Sequence, residues 1–312
     1  MKKKRTLIII LTVLIFCLIL GALFFITRYF VNYAIKSDTN GVPVKEAKKA
    51  DNYLEYMSDY DFEEVEITSD DNLKLKGFIF NQEEETDKWV ITIHGYKSDH
   101  NMMMVYAKSF YENGYNVLMP DLRGQGYSEG EYIGMGWLDR DDIMKWIDFI
   151  ISKNEDAKII LHGVSMGGAT VMMTSSMDLP DNVICGIEDC GYTSVDEIFA
   201  SELKKQFKLP KAPFVKLGSI YSSIVVGYDW YEASAIKSVN KSNIPLLFIH
   251  GDSDYFVPSY MVYDVYEAAM CEKNAFVAKG ASHTNAVKVD PDAYWDKCFG
   301  FINQYLDEAG DK

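Results

Sequence analysis

The chain has 312 residues, of which 48% are hydrophobic and 25% are charged, a composition typical of a folded protein. Its formal net charge is −15. The first 28 residues nevertheless hold five bases and no acid, so the remainder sets 26 bases against 46 acids. Phosphate groups repel so acidic a body, which argues against nucleic-acid binding and against attraction to anionic lipid surfaces.

Near the N-terminus, residues 7–26 form an apolar run interrupted only by Thr12, Cys17 and Gly21. A helix of this length spans a bilayer core of ~30 Å at ~1.5 Å per residue. A cleaved signal peptide is the alternative, but the run is long for one and no small-x-small cleavage site follows it. We therefore predict that residues 1–30 comprise a basic tip and a transmembrane helix.

The flanking charges predict the orientation of that helix. Lys2, Lys3, Lys4 and Arg5 precede the run, and Arg28 follows it. The positive-inside rule then places the N-terminus in the cytoplasm and the body outside, in a single-pass protein of the cell membrane. The mixed, polar residues 31–60 are interpreted as a stalk that leads to the body at 61–312.

Strands and helices alternate along the body. Residues 65–68 and 73–80 alternate apolar and polar side chains, which predicts an opening hairpin. Further strands are expected at 89–93, 116–119, 158–161, 183–187, 244–249 and 275–278. Helical spacing is found at 102–111, 139–151, 165–177, 260–270 and 291–306. This order predicts an α/β fold with a mostly parallel central sheet and helices on both faces.

One stretch, residues 194–240, contains three helical segments without an intervening strand. We interpret it as a helical cap inserted over the carboxyl ends of the strands, with a plain surface excursion as the alternative. The five cysteines, which have no C-x-x-C or zinc-ligand spacing, are expected to be free rather than to form a disulfide framework. They are Cys17, Cys185, Cys190, Cys271 and Cys298.

The strongest motif is G-x-S-x-G at residues 163–167, which follows a predicted strand and opens a predicted helix. A serine on so sharp a turn exposes its hydroxyl, and the flanking glycines allow the crowded backbone. Ser165 is therefore the predicted nucleophile, with a structural Gly-Ser turn as the alternative. A serine hydroxyl needs a general base.

Among the five histidines, His283 lies in the loop between the last short strand and the last helix, where the chain order serine, acid, histidine requires the base. The acid should follow the preceding strand, where both Asp252 and Asp254 qualify by spacing. A carboxylate that accepts from the imidazole fixes its tautomer. The expected oxyanion donors are the backbone N–H groups of Met166 and Tyr96.

Taken together, these segments resemble the α/β hydrolases, most closely the serine aminopeptidase-like and acyltransferase-like bacterial branch, which includes membrane-anchored members. The motifs are HGY at 94–96, DLRGQGYSEG at 121–130, GVSMG at 163–167, HGDSD at 250–254 and His283. The resemblance covers roughly residues 62–306 and implies an α/β-hydrolase fold. In that family's G-D-x-D pattern the second acid is catalytic, which points to Asp254. The family usually has histidine where this chain has Gln125, a position thought to be structural.

The favoured interpretation is a membrane-anchored serine hydrolase that cleaves a carboxylic ester or thioester of a small-molecule acyl substrate through an acyl-enzyme. A peptidase or an acyltransferase would use the same three residues, and a non-catalytic binding module with a hydrolase fold is the third possibility. Because metalloprotease, P-loop and dinucleotide-binding motifs are missing from the sequence, neither a cofactor nor a metal is expected.

Overall fold

The computed structural model describes residues 2–38 and 60–310. Its centre is an eight-stranded sheet with the order β1-β2-β4-β3-β5-β6-β7-β8. The strands are β1 (Glu63–Thr68), β2 (Lys74–Phe80), β3 (Lys88–Ile93), β4 (Asn116–Pro120), β5 (Lys158–Val164), β6 (Val183–Asp189), β7 (Leu246–Gly251) and β8 (Lys273–Ala278). Strand β2 runs antiparallel to both of its neighbours, and the other pairs are parallel. The mostly parallel sheet with an antiparallel opening hairpin is thus confirmed.

Helices cover both faces of this sheet, and each face packs its own hydrophobic cluster. The helices are α1 (Lys2–Ile35), α2 (Met104–Glu112), α3 (Asp139–Lys153), α4 (Met166–Thr174), α5 (Val195–Glu202), α6 (Phe214–Val225), α7 (Ala235–Val239), α8 (Tyr260–Ala268), α9 (Ala286–Val289) and α10 (Pro291–Gly310). In the central strands, Ile91 and Leu161 belong to one cluster, whereas Val90 and Ile160 belong to the other. Because these strands are buried on both faces, their sequences are continuously apolar.

The segment between β6 and β7 forms the predicted cap. It contains α5, a π-helical turn at Leu203–Phe207, α6 and α7. The ring centroids of Phe199 and Trp230 lie 4.5 Å apart, and a Cβ on Gly218 would come within 2.4 Å of the Trp230 ring. Such close packing joins α5, α6 and the segment that carries Trp230 into one layer.

The first part of the predicted stalk is helical and packs against the body. Helix α1 continues to Ile35, and Val31 and Ile35 are fully buried against the body. The N–H of Ile133 donates to the Ile35 carbonyl at 2.8 Å, and the N–H of Ser37 donates to the Glu131 carbonyl at 2.8 Å. The physical reason is the four-residue spacing of apolar side chains, which gives the end of the helix a face that must be buried. The rest of the predicted stalk, residues 39–59, lies outside the described residues.

Candidate active site

The predicted nucleophile, Ser165, lies in the turn between β5 and α4. Its backbone has φ 58° and ψ −116°, a conformation that L-residues rarely adopt. A Cβ on Gly163 would come within 2.1 Å of the Gly167 carbonyl oxygen, and one on Gly167 within 2.0 Å of the Ile93 carbonyl oxygen. Both glycines are therefore sterically required, and together they hold the serine at the carboxyl end of the sheet.

Three residues that are distant in sequence form a continuous hydrogen-bonded chain at this edge. His283 Nε2 lies 2.8 Å from Ser165 Oγ, and His283 Nδ1 lies 2.7 Å from Asp254 Oδ2. Ser165, Asp254 and His283 follow β5, β7 and β8, whose carboxyl ends lie on the same edge because the strands are parallel. In this arrangement the imidazole donates from Nδ1 to the carboxylate and accepts the serine proton at Nε2.

The two aspartates that the sequence left open have different surroundings. The side chain of Asp254 is fully buried, and its Oδ1 accepts the N–H groups of Phe256 and Val257 at 2.8 and 3.0 Å. Asp252 is exposed, and its Oδ1 accepts the Gly280 N–H at 2.7 Å. Asp252 thus braces the loop that carries His283, whereas Asp254 contacts the imidazole itself.

The expected oxyanion donors lie on either side of Ser165. Met166 is the first residue of α4, and the N–H groups in the first turn of a helix have no intrahelical acceptor. A Cβ on Gly95 would lie only 3.4 Å from the Ser165 Cβ, so the loop that contains Tyr96 passes directly beside the serine. The side chain of Tyr96 makes a separate contact, in which its hydroxyl donates to the backbone carbonyl of Ala34 in α1.

The histidines at the ends of β3 and β5 contact other parts of the fold. His94 Nδ1 donates to the Gly95 carbonyl at 2.8 Å, and its Nε2 accepts the Leu122 N–H at 2.9 Å. His162 Nε2 lies 3.0 Å from the Tyr294 hydroxyl, and burial lowers its pKa to about 3. Both rings are neutral, buried supports at the ends of their strands.

Known proteins similar to this chain include hydrolases. The family model described as serine aminopeptidase, S33, matches residues 84–187. The esterase Pf2001 of Pyrococcus furiosus has a TM-score of 0.65 at 27% identity, covering 81% of this chain and 94% of that one. The chain has the α/β-hydrolase fold. The resemblance and the fold predicted from the motifs are thereby confirmed.

Two relatives match most of this chain by sequence. The uncharacterized protein YqkD of Bacillus subtilis is 26% identical over 228 residues, which are 73% of this chain and 73% of YqkD. The uncharacterized membrane protein YNL320W of Saccharomyces cerevisiae is 24% identical over 255 residues, 80% of this chain and 81% of its own length.

A second histidine contacts Asp254, a contact that the sequence reasoning missed. His250 Nε2 lies 3.3 Å from Asp254 Oδ2 and 3.1 Å from the Val257 carbonyl oxygen, and its ring is fully buried. Burial disfavours ionisation of Asp254, but the hydrogen bonds of His250 and His283 outweigh it and hold the Asp254 pKa well below its usual range. The available signal was the four-residue spacing between His250 and Asp254 across the turn after β7.

Two further acids lie buried at the end of β6, beneath the serine. Burial raises the pKa of Glu188 to about 8, although its carboxylate accepts the Gly191 N–H at 2.9 Å. Burial also raises the pKa of Asp189 to about 6, and Asp189 accepts from the Tyr294 hydroxyl at 3.1 Å. Glu188 is therefore held in its protonated form at neutral pH, which keeps one negative charge out of the interior.

Among the described residues, the side chains of Cys190, Asp254 and His283 form a group in which ligand atoms lie within 4.8 Å of one another. Two of these side chains already belong to the hydrogen-bonded chain that ends at Ser165. Burial raises the pKa of the Cys190 thiol well above its usual value, and a protonated thiol is a poor metal ligand. The group therefore overlaps the hydrogen-bonded chain and forms no separate cluster.

A cavity of about 280 Å³ opens above Ser165, between the cap and α1. Phe199, Phe214 and Trp230 line it from the cap, and Phe256 and Val257 line it from the turn after β7. Among the polar groups of its wall, the Tyr33 hydroxyl donates to Gln206 at 3.1 Å, and Gln206 donates to Glu202 at 2.9 Å. Because these groups bond to one another, the cavity offers a mainly hydrocarbon surface.

Proposed function

We propose that this α/β hydrolase is a membrane-anchored serine hydrolase that cleaves a carboxylic ester or thioester. The observation that carries the proposal is the hydrogen-bonded chain from Asp254 through His283 to the Ser165 hydroxyl. Its order and contacts meet the requirements of nucleophilic catalysis, namely a nucleophile within reach of a base that a third group orients.

In the proposed reaction, His283 Nε2 takes the Ser165 proton as Oγ attacks the substrate carbonyl. The N–H groups of Met166 and Tyr96 hold the oxygen that becomes negative, and Asp254 stabilises the imidazolium. His283 then returns the proton to the leaving alcohol or thiol, and the acyl group stays on Ser165. Water, deprotonated by His283, attacks the acyl-enzyme, and release of the acid restores the serine.

The mainly hydrocarbon cavity above Ser165 supports an acyl substrate. The likeness to an esterase at 27% identity supports ester cleavage.

Peptidase or acyltransferase activity with the same three residues is the second candidate, and the match to the serine aminopeptidase model favours the peptidase form. Comparing p-nitrophenyl esters with aminoacyl p-nitroanilides separates the two, and faster cleavage of the anilides would reverse the order of preference.

Anchoring is part of the same proposal. Within the described residues, one helix, Lys3–Ile35, is long and apolar enough to cross a membrane. The relative YNL320W is named a membrane protein, which supports an anchor at the cell membrane with the N-terminus in the cytoplasm and the body outside. Alkaline extraction should leave the chain in the membrane pellet with its first 30 residues intact. A mature chain that begins near residue 27 would instead identify a signal peptide.

The nucleophile is tested by treating the full-length chain in detergent with a fluorophosphonate probe and measuring the intact mass. The parent should gain one probe molecule, and Ser165→Ala should gain none. Ser282→Ala is the matched control, because Ser282 is an exposed serine beside the same histidine. Failure of a folded parent to react, or labelling of Ser165→Ala, would contradict the proposed function.

A further inference from the structure

One wall of the cavity above Ser165 belongs to the proposed anchor helix. Five residues of α1 line the cavity opposite the cap aromatic side chains: Thr27, Phe30, Val31, Tyr33 and Ala34. The Phe30 ring centroid lies 5.0 Å from that of Phe207 and 6.1 Å from that of Phe214, both in the cap. The proposed anchor helix therefore forms one wall of the substrate cavity in addition to attaching the protein to the membrane.

These wall residues begin where the apolar run of α1 ends. The run covers residues 7–26, enough to span a bilayer core, and the wall begins at Thr27. Arg28, Tyr29 and Tyr33, which follow directly, are exposed and of the types that occupy the membrane–water interface. The cavity therefore lies at the level of the lipid headgroups when the run spans the bilayer.

The cap helix α6 reaches further, to the level of the apolar run itself. Its Tyr221 ring lies 6.0 Å from the ring of Phe24, which is within that run. On the same helix, the side chains of Ile220, Ile224 and Val225 are 46%, 79% and 44% exposed. Adjacent exposed apolar side chains next to a membrane-spanning helix form a surface suited to insertion among lipids.

The charge distribution supports the same contact. Residues 203–228, which include the π-helical turn and α6, contain five lysines and no acid, although the chain as a whole carries −15. Because Lys205 and Lys211 pair with acids of α5, the attraction to lipid rests on Lys204, Lys208 and Lys216. Lysines near a membrane surface are attracted to anionic headgroups, whereas the remaining acidic body is repelled. The expectation that anionic lipid repels the body therefore does not extend to this part of the cap.

Building on the proposed function, we infer that the substrate is a carboxylic ester of a membrane lipid, whose acyl chain enters the cavity between α1 and the cap. Phe30 and Ala34 of α1 then determine which acyl lengths are accepted. A cavity of about 280 Å³ lies at the lower limit of ligand sites, which hold ~300–1,000 Å³. It accommodates one acyl chain while the rest of the lipid stays at the headgroup level.

The test uses the full-length chain in lipid nanodiscs with p-nitrophenyl acetate, p-nitrophenyl decanoate and monooleoylglycerol. The parent should cleave monooleoylglycerol and prefer decanoate over acetate. Ala34→Phe, which places a ring in the cavity, should lower the decanoate-to-acetate ratio of kcat/KM by about tenfold or more. Phe30→Ala, which enlarges the cavity, should shift the preference towards longer acyl chains.

Matched controls lie on the same helix outside the cavity. Ala22→Phe and Phe25→Ala change exposed positions within the apolar run and should leave the ratio within about twofold of the parent. A parent that cleaves acetate but neither decanoate nor monooleoylglycerol would contradict the inference and leave the proposed function intact. Decanoate-to-acetate ratios of Ala34→Phe and Phe30→Ala that both equal those of their controls would likewise contradict the inference and leave the proposed function intact. A parent that cleaves no ester would contradict the proposed function itself.

Discussion

The side-chain hydroxyl of Tyr96 donates a hydrogen bond to the backbone carbonyl of Ala34, near the end of α1. The backbone N–H of the same tyrosine is a proposed oxyanion donor, beside Ser165. One residue thus connects the reacting centre to the anchor helix. Lys97, the next residue, forms an ion pair with Asp38 at 3.3 Å and adds a second attachment of this loop to the N-terminal segment.

Replacing Tyr96 with phenylalanine tests this attachment. The change removes the donor to Ala34 but keeps the backbone N–H, so we expect a loss of about 1 kcal/mol in the free energy of unfolding. Thermal denaturation of the full-length chain measures it as a fall in Tm of about 2–4 °C. Tyr263→Phe, at a 53% exposed tyrosine, is the control, and equal Tm values for the two variants would contradict the attachment.

The two aspartates after β7 should respond differently to the same substitution. Asp254→Asn leaves the shape of the site but favours the wrong imidazole tautomer, so kcat for an ester should fall by about 10⁴. Asp252→Asn keeps an oxygen that can accept the Gly280 N–H, and its kcat should stay close to that of the parent. Steady-state kinetics with one p-nitrophenyl ester compares them, and a larger loss in Asp252→Asn would identify Asp252 as the acid instead.

The buried carboxyl of Glu188 predicts how stability depends on pH. Its pKa rises from 4.5 when unfolded to about 8 in the fold, because burial disfavours the charged form. Between these values the folded state holds a proton that the unfolded state has lost. The contribution of Glu188 is therefore complete below pH 4.5 and is lost as pH rises through 8, by at most about 1.4 kcal/mol per pH unit.

Glu188→Gln removes this proton but keeps an oxygen that can accept the Gly191 N–H. Urea unfolding at a series of pH values should show the variant gaining stability relative to the parent between pH 5 and pH 8. The comparison with the parent isolates Glu188 from Asp189, whose raised pKa acts in the same direction. A constant difference across this range would show that Glu188 is ionised in the fold.

Arg123 lies in the loop after β4 and pairs with two carboxylates. Its Nε and Nη2 contact Asp142 at 2.6 and 2.7 Å, and its Nη1 contacts Asp71 at 3.0 Å. The side chains of Arg123 and Asp142 are only 7% and 3% exposed. Arg123→Ala leaves the Asp142 charge buried without its partner, so we expect a loss of about 3–5 kcal/mol in the free energy of unfolding.

A double-mutant cycle separates this loss from the net value of the pair. Arg123→Met combined with Asp142→Leu removes both charges and keeps most of the volume, so the double variant should be more stable than Arg123→Ala. Urea unfolding of the parent, Arg123→Met, Asp142→Leu and the double variant gives the coupling free energy between the two side chains. Additive effects would show that the two side chains do not depend on each other.

The sequence by itself determined the fold and predicted most of the candidate site, because those features follow from local patterns. Continuous apolar strands alternating with amphipathic helices require a covered parallel sheet, and G-x-S-x-G between a strand and a helix leaves few geometries for Ser165. The chain order then placed His283 in the loop after the last strand. These residues are specified by their neighbours in sequence, and so a single sequence reveals them.

Tertiary packing alone decided what depends on contacts between distant segments. By their spacing along the chain, Asp252 and Asp254 were equivalent candidates for the acid. The family resemblance pointed to Asp254. Only the position of a loop about 30 residues later places the imidazole against Asp254. Residues 31–38 are mixed in polarity and suggested a stalk. The four-residue spacing of Val31 and Ile35 marks an apolar face, but only the tertiary structure shows that the body covers this face.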